Sequence, residues 1–431
     1  MTILHAKKIV RHIAITLVFA ILLFLHNKAI ATDKQLLDTL TQKGVLTDDE
    51  AKNIAKSMVE VPVVFAKPQQ QISISGRLQT QYAFLENHIR EGLDAGMSNH
   101  VNGIILRRMI VAFDIDISET CGSVVSIDYS LPHYASDMYV YKDVDTNFLE
   151  GQLRVGYLKP NFVVEEYTSS RQLYCIERSI ATNFWSGSNG ERKLGLGGMF
   201  VGVWWYGKSQ TINGLNYFLG ISNSENYEID IRDIHHGGAH NMPSLWGAVF
   251  YDKKINNALD FRVGINLAYG ALTNKVPYNE HPSGIFGVNP FLALKGENFR
   301  INTELMLGEV EKGRHVGTDY HDCSPFGFNF MCEYLFDAPI GRWGPVFRYT
   351  FLDTDGRGVS TSDGLRKSVT IDSDFYDKAQ GFYFGVNWYI LENNLKLQFG
   401  YEFAKFKDEV GTSGNTRLNA DTYRAQMQIQ F

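Results

Sequence analysis

The strongest constraint in this sequence is a two-residue alternation of apolar and polar side chains that recurs from Ile72 to the C-terminus. Near the end of the chain, Tyr423 and Met427 fall on one face, while Arg424 and Gln428 fall on the other. This is the period of a β-strand, in which successive side chains point to opposite faces. The alternation therefore predicts an all-β protein.

The length of these segments and of their connections favours a membrane barrel over a soluble sheet. The segments run to roughly ten residues, which suits a tilted membrane crossing and exceeds the usual soluble strand. Tight turns, such as 392–394 and 296–298, alternate with long connections, such as 223–243 and 353–379. Aromatic residues make up 13% of the chain, as in barrels with aromatic girdles. We therefore predict a transmembrane antiparallel β-barrel.

The strand count follows from the alternation and from barrel closure. The readable strands span 72–84, 104–117, 122–131, 147–158, 194–206, 213–222, 244–253, 258–270, 285–295, 298–310, 325–336, 342–353, 380–391, 394–406 and 420–431. These are fifteen segments, and single-chain bacterial barrels have an even number of strands. We predict 16 strands, with the missing one at 137–143 or at 365–373.

The first 31 residues set the compartment. They combine a basic start, an apolar run at 13–25 and small residues at 29–31. This order is typical of a secretory signal peptide, and the apolar run is shorter than the roughly 20 residues of a membrane-spanning helix. We predict a signal peptide at 1–31 and export of the remaining chain.

A short helical segment precedes the barrel. Apolar residues recur at helical spacing within 32–60, Gly44 interrupts them, and Thr47 with Glu50 fits a capping box. We predict a periplasmic helix-turn-helix segment at 32–60, a linker at 61–71 and the barrel at 72–431. The helical segment is either a solvated appendage or an element for oligomerisation or tethering.

Alternation also assigns the charges of the lumen. With the apolar face turned outward, the pore-lining basic residues are Arg77, Arg108, Arg154, Arg262, Arg300, Arg348, Lys396 and Arg424. The inward acids are Asp114, Asp116, Asp128, Glu304 and Glu402. Rings of Arg and Lys select for anions, so this surplus predicts an anion preference. The alternatives are an unselective lumen, in which the charges pair with each other, and a true specificity for phosphate.

The longest stretch without alternation is 160–192, which we expect to fold inward and narrow the pore. Its charged residues, the constriction candidates, are Glu165, Glu166, Arg171, Glu177, Arg178, Arg192 and Lys193. Two roles are open for them. They line an eyelet, or they form an internal salt-bridge cluster that fixes the loop.

Motifs in the same region resemble a known family. The sequence reads GYLKP at 156–160, EEYTSS at 165–170, IERS at 176–179 and RKLG at 192–195, and Arg107 and Arg108 stand as a pair. These motifs resemble the phosphate-selective porins, the porin O and P family. The N-terminal helical segment is similar to the preface of many members, and Phe431 resembles the C-terminal assembly signal of outer-membrane barrels.

The resemblance implies a 16-stranded homotrimeric porin in the outer membrane of a Gram-negative-type bacterium. Its expected partners are outer-membrane lipids, small anionic solutes and the barrel-assembly machinery. We expect no cofactor and no metal. The formal charge of −6 disfavours a nucleic-acid partner.

Two other classes stay open beside the channel. An outer-membrane barrel enzyme of the lipase or protease type needs a nucleophile and a base at the rim, and no GxSxG motif is present. A structural barrel is the third possibility. The four cysteines include Cys323 and Cys332, which could form a disulfide in an oxidising compartment.

Overall fold

A computed structural model describes residues 71–130, 135–146, 149–187, 192–223, 243–255, 259–272, 283–316, 319–365, 374–410 and 414–431. The signal peptide, the helix-turn-helix segment and nearly all of the linker predicted from the sequence lie outside these residues. The barrel belongs to the unit Gln70–Phe431.

The strands of the first half are β1 Gln71–Gly92, β2 Ser98–Ser118, β3 Cys121–Asp128, β4 Ala135–Asp145, β5 Glu150–Leu158, β6 Phe200–Lys208, β7 Leu215–Ser222 and β8 Ser244–Ile255. Those of the second half begin with β9 Leu259–Leu272, β10 Ser283–Gly296 and β11 Phe299–Val316. Strand β12 has three segments, Asp319–Cys323, Phe326–Tyr334 and Phe336–Asp337, and is followed by β13 Arg342–Asp353, β14 Lys378–Asn393, β15 Leu395–Lys407 and β16 Asn415–Gln430.

These elements form a closed barrel of 16 antiparallel strands. Each strand pairs with the next, and β1 pairs with β16 from Arg77–Gln430 onward to close the sheet. The first break in β12 falls at Pro325, which has no N–H to donate to the ladder. The predicted fold class is confirmed, and β4 is the strand that the sequence placed at 137–143.

The apolar faces lie outward, as the alternation predicts. Phe384, Phe399 and Tyr423 are more than half exposed on the outer surface, where the lipid tails would cover them. The inward neighbours Tyr383, Gln398 and Arg424 are buried. Among the described residues, no helix is long and apolar enough to cross a membrane.

The structure changes some predicted strand ends. Residues 194–199 belong to a loop and not to β6, because the backbone N–H groups of Leu194 and Leu196 donate to carbonyls of the helix Ile180–Ser186. The predicted long connection 311–324 is mostly strand, because β11 and β12 continue to Val316 and from Asp319.

The C-terminal residue completes the barrel. The main chain of Phe431 exchanges hydrogen bonds of 3.0 and 3.1 Å with Gly76, so the last residue lies at the closing seam of β1 and β16.

Cys323 and Cys332 are free thiols. Cys323 belongs to the apolar cluster inside the barrel, while Cys332 pairs with the outward Ile301, so the two thiols point to opposite sides of the wall.

Candidate functional site

The connection between β5 and β6, residues 159–199, runs inside the barrel. It contains the short helices α1 Val164–Tyr167 and α2 Ile180–Ser186. All seven residues of α2 are buried, and Trp185 packs against the rings of Phe162 and Phe184 at 6.3 Å between centroids. Burial of this much apolar surface is the main force that draws the loop into the barrel.

Glycines in the wall admit the loop. A Cβ at Gly308 would lie 3.1 Å from the Trp185 ring, and one at Gly327 would lie 2.9 Å from the indole nitrogen. At Gly287 a Cβ would lie 2.7 Å from Phe162. Three adjacent strands therefore carry glycine where the aromatic side chains of the loop approach most closely.

A chain of buried charges joins the loop to the far wall. Arg348 on β13 donates to Glu165 Oε1 at 3.2 Å, to the Glu177 carbonyl at 2.6 Å and to Glu402 Oε1 at 2.8 Å. Arg424 on β16 donates to Glu402 Oε2 at 3.1 Å and to the Leu365 carbonyl at 2.7 Å. All of these ionised side chains are buried, so removal of one partner would leave an uncompensated charge.

Helix α1 is held by a wall carboxylate. Glu304 on β11 accepts from the backbone N–H groups of Val164 at 2.7 Å and Glu165 at 3.2 Å. The preceding residue, Val163, has φ 60°, a conformation that is unfavourable for a β-branched side chain. The surrounding contacts thus hold a strained turn at the point where the loop bends across the lumen.

The returning part of the loop is tied to its own start and to β2. Arg178 forms an ion pair with Glu166 Oε2 at 3.0 Å and donates to the carbonyls of Glu165 and Glu166. Glu177 accepts a bidentate pair of hydrogen bonds from Arg107 at 2.6 and 3.0 Å. Burial alone would raise the pKa of the Glu177 carboxyl, but Arg107 holds this pKa well below its usual range.

A β-bulge makes the Arg107 contact possible. The register of β1 and β2 passes from Gln79–Arg108 to Thr80–Leu106, so Arg107 is an extra residue on β2. Both arginines of the pair therefore reach the interior, and Arg108 donates to Gln79 at 2.8 Å. Simple alternation turns Arg107 outward, which is why the sequence assigned only Arg108 to the lumen.

The predicted constriction residues lie in three different settings. Glu165, Glu166, Glu177 and Arg178 are buried in the contacts that fix the loop, while Arg171 is exposed. Arg192 and Lys193 lie against the connection between β13 and β14, where Lys193 is 2.9 Å from Asp363 and Arg192 donates to the carbonyl of Arg357.

All eight pore-lining basic residues lie on the inward face by register. Most of them already have protein partners. Arg262 pairs with Asp252 at 2.6 Å, Arg300 pairs with Glu333 at 3.3 Å, and Lys396 donates to two carbonyls of the loop. Among the described residues, Arg77 and Arg154 make no ion pair, and Arg77 donates only to the hydroxyl of Ser169 at 3.3 Å.

The register adds inward charges that the sequence analysis did not assign. On the basic side these are Arg107, Lys208, Lys254 and Lys295. On the acidic side they are Asp137, Asp143, Asp145, Glu150, Asp252, Asp260 and Glu333. Apart from Arg107 at its bulge, they lie near strand ends or on β4, where short alternations give a weak signal. The wall as a whole is therefore close to electrical balance, and the pairing of each charge matters more than the total.

A water-accessible space remains beside the loop. A cavity of about 1140 Å³ lies below α1, toward the short turns of β6 to β11, and is lined by Tyr167, Gln172, Lys208, Lys254, Arg262 and Lys295. Of the exposed loop residues Ser169, Arg171 and Gln172, Gln172 lines this cavity. The space beside the loop thus borders the wall from β5 to β11.

Comparison with known proteins agrees with this architecture. The anion-selective porin from Comamonas acidovorans aligns with a TM-score of 0.54 at 13% identity, over 84% of this chain and 100% of that chain. The outer membrane channel DcaP of Acinetobacter baumannii gives a TM-score of 0.50 at 11% identity, over 84% and 97%. At these identities the likeness shows the fold. No curated protein sequence matches this chain.

The sequence profile of the family described as "Phosphate-selective porin O and P" matches residues 295–431. The resemblance to this family is thus confirmed over this C-terminal part of the barrel, which does not include the motifs at 156–195. The chain thus shares the closed-barrel fold of these two proteins, and its C-terminal part matches the porin O and P family.

Proposed function

We propose that this porin is a passive channel that prefers small anions and carries no catalytic step. The observation behind the proposal is a set of three arginines, Arg77, Arg154 and Arg171, which are not buried and make no ion pair among the described residues. Arg77 and Arg154 face the lumen from β1 and β5, and Arg171 faces it from the loop.

Unpaired cations act on a passing ion more strongly than paired ones. Arg262 and Arg300 each lie beside a carboxylate, so their fields largely cancel beyond a few ångströms. A lone guanidinium acts over a Debye length, about 8 Å at physiological salt. These three residues therefore set the sign of the selectivity, and the pairs keep the lumen hydrated.

The solute class follows from the same side chains. Arginine offers a planar fork that matches the oxygens of phosphate and carboxylate groups. The structurally similar Comamonas protein is named as anion-selective, and the matched family is named for phosphate. We propose anions as the preferred class, with phosphate as one member of it.

Reversal potentials in planar bilayers test this proposal. Under a potassium chloride gradient at low salt, we expect anion selectivity that fades as salt rises. The variant carrying Arg77→Gln, Arg154→Gln and Arg171→Gln should lose or reverse it. The control is Arg417→Gln, because Arg417 lies at the exposed rim and pairs with Glu91.

Cation selectivity of the unmodified channel at low salt would overturn the proposal, as would an unchanged reversal potential in the triple variant. Conductance also separates the channel from the alternatives. A barrel enzyme or a structural barrel would give no regular single-channel steps.

We further propose that the channel is a homotrimer embedded in outer-membrane lipids, and that the barrel-assembly machinery recognises the strand ending in Phe431. Strands β3, β5, β6 and β7 have only 8 or 9 residues, at or below the roughly 9–11 of a full crossing. A neighbouring subunit would cover the part of the wall that these short strands form. The mass of the detergent-solubilised particle tests the subunit number.

A further inference from the structure

Arg154 is held in the lumen in an unusual way. Its guanidinium lies 4.1 Å from the ring centre of Tyr206 and 5.0 Å from that of Tyr139. Its Nε donates to Gln152 Oε1 at 2.5 Å, and Gln152 in turn donates to Asp143 at 2.7 Å. The side chain is therefore fixed by two aromatic rings and an amide, without an ion pair among the described residues.

Three buried arginines inside the barrel are instead fixed by carboxylates. Arg107 is held by Glu177, while Arg348 and Arg424 share Glu402. Such partners hold the guanidinium still but neutralise it. An aromatic face attracts a cation through its quadrupole and carries no net charge. The two tyrosines thus order Arg154 and leave its charge available to a passing ion.

The rings are themselves held in place. Tyr206 packs against Phe218 at 4.9 Å between ring centres, and Phe218 stacks on Trp204 at 5.9 Å. Tyr139 and Tyr206 both pack against the main apolar cluster. On β5, Gly156 faces Tyr139, and a Cβ there would lie 2.7 Å from the Tyr139 Cα. The aromatic pair therefore has a rigid support behind it.

We propose that Tyr139 and Tyr206 are positioning residues that hold Arg154 in the channel as an unneutralised cation and so set its anion preference. This inference rests on the proposed anion channel. Asp137 interacts electrostatically with Arg154, but also with Lys159 and Arg77, and it forms no ion pair with Arg154 among the described residues.

Substitution of the rings tests the proposal through selectivity and not through folding alone. Tyr206→Leu and Tyr139→Leu, singly and together, should lower the chloride-to-potassium permeability ratio at low salt. Loss of a cation–π contact at the wet lumen corresponds to about a two- to five-fold change. Tyr206→Phe keeps the ring and should retain the ratio, although the hydroxyl of Tyr206 also lies near Arg154.

Two comparisons separate positioning from general damage. Tyr217→Leu is the matched control, because Tyr217 lies on β7 beside the buried Phe218 but on the opposite face, and it should leave the ratio unchanged. In an Arg154→Gln background, the tyrosine substitutions should have no further effect. Folded barrel is confirmed for each variant by heat-modifiable migration on gels.

The proposal is overturned if the double leucine variant keeps the unmodified ratio, if Tyr206→Phe behaves like Tyr206→Leu, or if the effects of Arg154→Gln and the leucines add. These outcomes differ from failure of the proposed function. An anion-selective channel that responds to Arg154→Gln but not to the tyrosine changes would remove only the positioning role.

Discussion

The two sides of this lumen use charge in opposite ways. Along β11 to β16, the buried side chains of Glu304, Arg348 and Glu402 hydrogen-bond to the inward loop or to one another. Along β1 to β5, Arg77 and Arg154 are only partly buried and make no ion pair among the described residues. On the first side, charged groups fix the loop to the wall. On the second side, the arginine charges are not neutralised by a carboxylate, so an inward arginine has no single role.

The largest expected effect on this comparison comes from replacing Arg348, the arginine at the centre of the buried charge cluster. Arg348→Met leaves Glu165 and Glu402 as buried carboxylates with a lost partner, which should cost about 3–5 kcal/mol. The half-exposed pair of Arg262 and Asp252 should matter far less, and Arg262→Gln should cost about 0–1 kcal/mol. The temperature at which folded barrel converts to the unfolded gel band measures both. Similar shifts for the two variants would contradict the distinction.

A second comparison uses packing in place of charge. Gly327→Ala places a methyl group 2.9 Å from the indole nitrogen of Trp185 and 3.3 Å from Ala181, and such overpacking costs about 1–3 kcal/mol. Gly103→Ala on β2 meets no atom within 4 Å and should be close to neutral. Thermal conversion of the folded band again gives the result, and an equal loss in both variants would show that the loop adapts freely.

The smallest expected effect is a difference in thiol reactivity, which does not change the stability of the barrel. Burial raises the pKa of the Cys175 thiol to about 12. At pH 8 this thiol is therefore protonated, and a maleimide should label it far more slowly than the half-buried Cys121. Single-cysteine variants followed by mass spectrometry measure the two rates. Labelling of Cys175 should accelerate in Arg348→Met, and rapid labelling in the unmodified loop would show that it is not docked.

Sequence reasoning predicted the wall better than the loop for a physical reason. A strand has a fixed period of two, so the faces of Arg262, Arg300 and Arg348 follow from counting alone. The partners of Glu165 do not, because Arg348 lies 183 residues away in the chain and meets it only after the barrel closes. No local pattern encodes such a contact.

One open alternative and one missed residue have local causes. The sequence gives β4 only as one of two alternatives, because its eleven residues carry Asp137 and Asp143 on the inward face and Lys142 on the other. These charges interrupt the alternation of apolar and polar residues. Arg107 was missed because a bulge adds a residue without any marker in the sequence. The aromatic setting of Arg154 was within reach, since Tyr139 and Tyr206 alternate inward beside it.

The bulge at Arg107 also bears on how a barrel can change by insertion and deletion. In a regular strand, one extra residue would turn every residue on one side of it inside out. At the bulge, Leu106 and Arg108 keep the faces that they would have if Arg107 were absent. A lineage of such channels can therefore acquire or lose this tether to Glu177 by a single codon, while the lipid-facing surface of β2 is inherited intact.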